Sequence, residues 1–382
     1  MSKAHASALN IWIDGYEANV PQRLGSSRVA YELIRHLEKI DHENDYTIVL
    51  PAPPMEDFPK ERPGFSYKIL RPKRLWTTIS LPLALYTAEV KPDLIFSPTH
   101  YIPRFSPVKT VATIFDLSFL HFPQYFQKRD LWRLKRGTGF SLKRANHLIT
   151  ISNSSKADIV KSYGVSRDKI TVAYPGYNHE VFYPVKDQKK INKTLAKYRV
   201  VGDYVIFVGT IQPRKNLIRL INVFAKIDNL KLVIVGKTTG LGKQAWMFKE
   251  ILKRPQELGI EDRIVFTGFV PNDDLNLLLN GAKAFILPSL WEGFGIPVVD
   301  AMAVGCPVIV SDVSSLPEVV GNAGLLVDPY SQDQIEQAIR TITSDKKLAL
   351  KKSKEGLKQA AKFSWDKMTK TVLKVLQEVG NE

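Results

Sequence analysis

Short apolar runs alternate with helix-length amphipathic segments along almost the whole chain. Leu9–Ile13, Tyr46–Leu50, Leu94–Phe96, Thr110–Ile114 and His147–Ile151 are rich in β-branched and aromatic residues. The segments between them carry a helical period, as in Val29, Leu33, Ile34 and Leu37, or have helix length, as in Ile79–Glu89 and Asp130–Lys143. This alternation predicts a parallel sheet with helices on both faces. A second series follows: Tyr204–Val208, Leu232–Val235, Ile264–Phe266, Ala284–Leu287, Val308–Val310 and Leu325–Val327. From Tyr183 to Arg199 the chain is polar and lysine-rich without an apolar period, which marks a boundary. The predicted class is α/β, with two Rossmann-like doubly wound domains over 1–183 and 200–362 joined by a linker over 184–199. Lys346–Lys374 is a lysine-rich helical stretch broken near Phe363-Ser364-Trp365, so 363–382 reads as a separate C-terminal helix with Met368, Val372, Leu373 and Leu376 on one face.

Ligands of such sheets lie beyond the carboxyl ends of the strands, so the loops there carry the chemistry. After Ala284–Leu287 comes Pro288-Ser289-Leu290-Trp291-Glu292-Gly293-Phe294-Gly295-Ile296-Pro297, with Pro297 at the place of a first helical residue and the helix ending at Gly305. The two glycines let backbone approach a ligand closely, and the amides of Gly295 and Ile296 lie at the positive end of the helix, an anion site. Asp300 is the fourth helical residue, and helical side chains lean back toward the N-terminus, so its carboxylate points at the same mouth as Glu292. Carboxylates beside a phosphate site repel it unless they pair with neutral hydrogen-bond donors, and sugar hydroxyls are such donors. The inferred ligand is a nucleotide sugar.

Gly209-Thr210-Ile211-Gln212-Pro213-Arg214-Lys215-Asn216 follows the first strand of the second series, and adjacent Arg214 and Lys215 there suit a diphosphate. In the first series, Asp14 and Gly15 end a strand, an irregular loop runs to Gly25, and Gly25-Ser26-Ser27-Arg28 opens a helix, either as a ligand loop or as a serine cap. Within Val111–Leu120 a strand ends at Asp116, which reads as a ligand contact or a turn residue. Ser152 or Asn153 caps a helix and is scaffold first. Asp273 and Asp274 begin a helix and read as caps rather than metal ligands. Gly236-Lys237-Thr238 lacks the upstream glycine of a P-loop, and Gly240-Leu241-Gly242-Lys243-Gln244-Ala245 does not follow its strand directly; neither supports ATP hydrolysis or hydride transfer.

At 382 residues and 44% hydrophobic content the chain can bury two ordinary cores. Its net charge of +16 calls for something acidic: nucleic acid, anionic lipid or phosphorylated small molecules. Cys306 is the sole cysteine, so no intramolecular disulfide can form; it reads as a small buried thiol in a reducing compartment. Met1 to Asp14 lacks a signal-peptide layout and no apolar run is long enough to span a bilayer, so the expected location is the cytoplasm, with peripheral contact at the inner face of the membrane. That contact would use Gln127–Ala145, where Lys128, Arg129, Arg133, Lys135, Arg136, Lys143 and Arg144 interleave with Leu131, Trp132, Leu134, Phe140 and Leu142; a domain helix with a solvated basic face is the alternative.

Glu292, seven intervening residues and an acid, set in E-G-F-G-I-P-x-x-x-A-M, resembles the signature of the retaining GT-B glycosyltransferases of the glycosyl-transferases group 1 kind. The resemblance covers nearly the whole chain. It implies two Rossmann-like domains facing across a cleft, a first domain that binds the acceptor and a final helix that crosses back over it. It also implies transfer of a hexose, mannose by preference, from a GDP- or UDP-linked donor to a saccharide or lipid-linked acceptor, with no cofactor and no metal. Glu292 would hold the sugar hydroxyls and Asp300, where the family has Glu, the ribose hydroxyls. Arg214 and Lys215 would neutralise the leaving diphosphate, together with Gly293, Phe294, Gly295 and Ile296 at the helix mouth. Phe269 and Val270 would meet the nucleobase, and Gly25 and Ser27 would lie between acceptor and diphosphate. Phe115 stands where the family often has histidine, so that role does not transfer, while Asp116 beside it remains a catalytic candidate. Two other classes compete. An epimerase of the same architecture needs an acid–base pair, and beyond Glu292 and Asp116 there is no clear one; a nucleic-acid binder would explain the charge, but no recognition module is present.

Overall fold

A computed structural model describes residues 8–236 and 245–382. The sequences set aside above as P-loop and dinucleotide decoys fall on 237–244, outside the described residues apart from Gly236 and Ala245 at their ends. Two compact units form, the first from residues up to His121, Lys128–Gly176 and Ser364–Glu382, the second from Phe122–Gln127 and Tyr177–Phe363.

The first unit is built on a seven-stranded parallel sheet: β1 (Asn10–Asp14), β2 (Asp45–Leu50), β3 (Phe65–Ile69), β4 (Leu94–Ser97), β5 (Lys109–Ile114), β6 (His147–Thr150) and β7 (Ile170–Val172), in the order β3-β2-β1-β4-β5-β6-β7. Ile11, Ile13, Ile95, Phe96, Val111 and Ile149 are inaccessible, as expected of strands covered on both faces. The edge strands β3 and β7 are the ones the apolar pattern did not mark, because an edge strand such as Phe65-Ser66-Tyr67-Lys68-Ile69 keeps polar and exposed positions. The helices that matter below are α1 (Ser26–Ile40), α2 (Leu81–Tyr86, continuing a π-helical turn over Trp76–Ser80), α3 (Lys128–Arg144) and α4 (Asn153–Tyr163).

The second unit has a six-stranded parallel sheet of β8 (Tyr204–Val208), β9 (Lys231–Val235), β10 (Ile264–Gly268), β11 (Ala284–Leu287), β12 (Val308–Ser311) and β13 (Gly324–Val327), ordered β10-β9-β8-β11-β12-β13. The stretch 184–199, read as a linker, instead contains α5 (Gln188–Lys197), capped by Asp187 and burying Ile191 and Thr194 against α6 (Asn272–Gly281). Its polarity reflects a narrow buried face. Asp273 and Asp274 do not cap α6, whose N-cap is Pro271; Asp274 pairs with Lys197 of α5 at 2.5 Å and accepts from the Tyr198 hydroxyl at 2.7 Å. α7 (Ile296–Ala303) follows Gly295, and Cys306 beyond it is buried, which pushes its thiol up to about 12 and leaves it inert.

The final helix, α8 (Trp365–Asn381), packs on α1 and on β4, β5 and β6 of the first unit. Met368, Val372, Val375, Leu376 and Val379 are buried there, whereas Leu373 is half-buried, so this stripe is core of the first unit. Gly176 makes this possible: a Cβ at that position would lie 2.1 Å from the backbone nitrogen of Trp365.

Each sheet reverses direction once. The chain builds outward from β1 to β3 and returns to place β4 on the other side of β1; it repeats this from β8 to β10, with β11 returning beside β8. The crevices between β1 and β4 and between β8 and β11 are the switch points at which open sheets bind ligands. Beside the second, the loops after β8 and β9 touch so closely that a Cβ on Gly236 would stand 2.0 Å from the carbonyl oxygen of Gly209. Gly236→Ala should therefore cost about 1–3 kcal/mol by forcing these strand ends apart, measured as a lower denaturation midpoint with an unchanged slope; an unaltered midpoint would show that the loops separate freely.

Candidate active site at the second switch point

The loop after β8 makes a short 3₁₀ turn over Pro213–Lys215 and leaves it through Asn216 in the left-handed region, φ 62°. Asparagine tolerates this conformation, and its buried side chain donates to the carbonyls of Pro288 (3.0 Å) and Pro329 (2.6 Å), tying the loops after β8, β11 and β13 together. The Leu290 amide donates back to the Arg214 carbonyl at 2.9 Å, and the Arg214 guanidinium donates to the Trp291 carbonyl. The loop after β12 adds Ser314 and Ser315: Ser314 Oγ accepts from the Glu292 amide at 3.0 Å, and Ser315 Oγ donates to the Glu292 carbonyl at 2.9 Å. Four strand ends thus fix one residue.

That residue, Glu292, is 7% exposed. Its carboxylate receives Lys215 Nζ at 2.5 Å on Oε1 and lies 3.4 Å from Arg214 Nη1 on Oε2. Burial alone would raise its pKa; Lys215 and then Arg214 overcome that and hold it at about 2, against 4.5 ordinarily. The three residues that the sequence pointed to are therefore in mutual contact, with the cations turned onto the acid.

Gly295 precedes α7 with φ 98°, and a Cβ there would meet Leu316 at 3.0 Å and Val298 at 3.2 Å, so both conformation and space require glycine. No side chain caps α7. Asp300 lies one turn in, 2% exposed, near enough to Tyr177 to help burial raise that hydroxyl's pKa. Phe294 is 2% exposed and meets Phe363 edge-on at 5.3 Å, so its ring is core, and a ligand would meet its backbone. Ile296 is buried as well, while Phe269 is exposed beside buried Val270 at the carboxyl end of β10.

The candidates of the first unit gather around its own switch point. Gly25 has φ 55° and is the N-cap of α1; Ser27 does not cap it but bonds back to Leu24, whose amide and carbonyl lie 2.9 Å from its Oγ, and Ser26 donates to Glu17 at 3.0 Å. Asp116 accepts from the Ser118 amide at 2.8 Å, the turn role. Phe115 packs against the ring of His100 at 5.4 Å. Ser152, not Asn153, caps α4. Sequence reading missed Asp14 as a titrating group: burial lifts its carboxyl to about 7, opposed by the Tyr16 amide and the Trp76 indole at 2.9 Å. It also missed Asn216, Ser314 and Ser315, for which only Asn216, directly after the Arg-Lys pair, carried a signal. Among the described residues no group of three or more His, Cys, Asp or Glu side chains is placed to hold a metal ion, and no helix is long and apolar enough to cross a membrane.

The Glu292 pair has a pH signature. A depressed folded pKa contributes stability that is complete above the unfolded value and is lost as pH falls through the folded one. Here the window runs from 4.5 down to about 2. Chemical denaturation across it should show wild type losing on the order of 3 kcal/mol more than Glu292→Gln, and the variant should be the less stable at neutral pH because two half-buried cations lose the carboxylate they face. Parallel pH profiles for the two proteins would show that the pair carries no such stability.

Two family models match the chain, glycosyltransferase family 4 over residues 24–181 and glycosyl transferases group 1 over 190–362. The chain is 29% identical over 310 residues to the O-antigen chain mannosyltransferase B of Escherichia coli, covering 80% of this chain and 77% of that protein. It is 26% identical over 296 residues to the serotype-specific mannosyltransferase WbdA of Escherichia coli, covering 73% of this chain but only 36% of that longer protein. HepE of Anabaena, solved in complex with UDP and glucose, superposes with a TM-score of 0.76 at 19% identity, over 96% of this chain and 99% of HepE. Matching models across both halves, these relatives and the shared two-sheet GT-B fold agree: the chain belongs to the glycosyl transferases of group 1 and is a glycosyltransferase.

Proposed function

We propose that this glycosyltransferase retains configuration at the sugar, needs no metal, and moves a hexose, mannose by preference, from a GDP- or UDP-linked donor to a saccharide or lipid-linked acceptor. The observation that carries the reading is the Glu292 carboxylate held by Lys215 and Arg214 at the switch point of the second sheet. An arriving diphosphate competes for the two cations, and the carboxylate they release accepts hydrogen bonds from the donor sugar's hydroxyls. Asp300 takes the ribose hydroxyls, and the backbone at Phe269 and Val270 takes the base.

The anomeric carbon–oxygen bond breaks with its electron pair going to the leaving diphosphate, whose charge Arg214, Lys215 and the first-turn amides at Gly295 and Ile296 stabilise. The acceptor hydroxyl attacks from the face the diphosphate leaves, and its proton passes to the departing phosphate oxygen. No protein nucleophile is required. Fixed cations aimed at the developing charge supply what a metal supplies elsewhere. The acceptor is assigned to the first unit, with Gly25 and Ser27 as ligand-binding residues and Asp116 as a catalytic candidate at its loop ends. The mannosyl preference rests on the mannosyltransferases among the relatives, and the nucleotide donor draws support from UDP in HepE. We also read the basic face of α3 as a peripheral contact with anionic membrane, which suits a lipid-linked acceptor.

Glu292→Ala should abolish transfer while leaving nucleoside diphosphate binding equal or tighter, because the cations lose their internal partner. Arg214→Ala with Lys215→Ala should weaken diphosphate binding, each donor being worth roughly 3 kcal/mol, about a hundredfold in rate. Calorimetric titration with both variants checks the division; equal loss of nucleotide affinity in Glu292→Ala would refute it. Thermal melting with UDP, GDP and ADP, each with EDTA, tests donor class and metal together. At a hundred times its dissociation constant the cognate nucleotide adds about 2.7 kcal/mol, a shift of a few degrees; a shift that EDTA erases would overturn the metal-free reading.

A further inference from the structure

The helical segment from Trp76 to Tyr86 is amphipathic with an apolar stripe turned outward. Its inner face is in place: Trp76, Leu81, Ala84 and Leu85 are buried with Trp12, Val49 and Ile95 against the first sheet. Its outer face is apolar too. Leu75, Ile79, Leu83 and Tyr86, spaced by four, four and three residues, are 62, 43, 56 and 56% exposed, and Val90 beyond the helix end is 74% exposed. Single exposed apolar side chains need no explanation, but a stripe at helical spacing is an unpaired face.

The stripe is flanked by cations. Leu70 to Val90 contains Arg71, Lys73 and Arg74, all exposed, against a single acid, Glu89 at its far end. The Arg104 amide donates to the Thr77 carbonyl at 2.7 Å, which joins the following loop to the same face and brings Phe105, 62% exposed, beside it. At the Tyr86 end opens a pocket of about 410 Å³, lined by Tyr86, Phe105, Phe140, Arg104 and Arg144 among others; Arg104 stacks on the Phe140 ring at 4.8 Å. The pocket thus joins this face to the carboxyl-terminal turns of α3.

We infer that the outer face of Leu75–Val90, with Phe105 and the Arg104–Arg144 pocket, docks on an anionic phospholipid bilayer, the apolar stripe entering the headgroup boundary and the arginines meeting lipid phosphates. Charge complementarity selects this occupant: the exposed apolar side chains are bordered by Arg71, Lys73, Arg74 and Arg104, with Glu89 the one acid between Leu75 and Val90, a predominantly cationic surface that disfavours a second copy of itself and attracts an anionic interface. The inference extends the membrane reading of α3 to a different element and stands independently of the donor site.

The test is sedimentation of the full chain with vesicles of phosphatidylcholine alone and of phosphatidylcholine mixed with phosphatidylglycerol, at low and physiological salt. The chain should pellet with the anionic vesicles, less at higher salt. Ile79→Ser with Leu83→Ser and Tyr86→Ser should weaken binding about tenfold or more and leave the melting temperature unchanged, since these side chains are exposed; Leu83→Ser alone serves as a milder variant should the triple one unfold. Arg104→Gln with Arg144→Gln should reduce the preference for phosphatidylglycerol. A chain that stays in the supernatant with every vesicle, or a stripe variant that binds as wild type does, overturns the proposal. So does concentration-dependent dimerisation abolished by Leu83→Ser without vesicle binding, which would assign the stripe to a second copy. Binding is read without substrate, so failure here leaves the transferase reading untouched.

Discussion

A carboxylate 7% exposed to solvent is tolerable only if cations meet it, and the second unit's loop geometry follows from how Glu292 satisfies that need. Lys215 and Arg214 come from the loop after β8, Glu292 from the loop after β11, and both are brought together because β11 is the strand that returns beside β8. The backbone is then committed. Asn216, one residue past the cations, cannot leave the carbonyls of Pro288 and Pro329, and the Glu292 amide and carbonyl are held by Ser314 and Ser315. A buried ion pair is weak evidence for net stability, because each charge also gave up its hydration. Its effect is to fix where two positive charges and one negative charge stand before any ligand arrives.

The two switch points share a topology and differ in electrostatics. At the second, charges of both signs are permanent across the neutral range. At the first, Asp14 is buried against the Trp76 indole with Glu17 rather than a cation nearby, so its carboxyl lies at about 7. His100, in the same loop cluster, is pushed by burial toward the neutral ring, against the pull of Asp116 and Glu17. The second edge therefore presents fixed cations, whereas Asp14 and His100 at the first offer no permanent positive charge. The proposed assignment of donor phosphates to the second unit draws on this difference as well as on family likeness.

Both sheets were legible because a parallel strand covered on two faces must be an unbroken apolar run, and β1, β4, β8 and β11 are written that way. Edge strands β3 and β7 were not, since β3 keeps polar and exposed positions and β7 is only three residues long. The glutamate loop could be read because glycine at 295, proline at 297 and acids at 292 and 300 each answer a local demand of conformation or charge. What escaped was what the third dimension decides. Nothing local says that Lys215 would turn onto Glu292 or that Asp274 would pair with a helix inside the supposed linker. Phe294 illustrates the limit: its place in the motif is functional in appearance, yet its ring is held by Phe363, a contact across many residues of sequence.

The net charge of +16 is not accounted for by the proposed donor site, where Glu292 already offsets one of the two cations. The surplus lies on surfaces, and exposed charges act only over roughly a Debye length of 10 Å. Total charge therefore says little about partners; the company each cation keeps says more. The helix Lys346–Ala360 is lysine-rich, but among its apolar residues only Leu350 stands out as exposed, and its lysines alternate with Glu355 and polar groups, the pattern of a solvated face. Around Arg71, Lys73, Arg74 and Arg104 the cations border Leu75, Ile79, Leu83, Tyr86 and Phe105 instead. Water hydrates a lysine readily and gains nothing from a leucine stripe, so solvation explains the first surface and leaves the second calling for a partner that is both anionic and apolar.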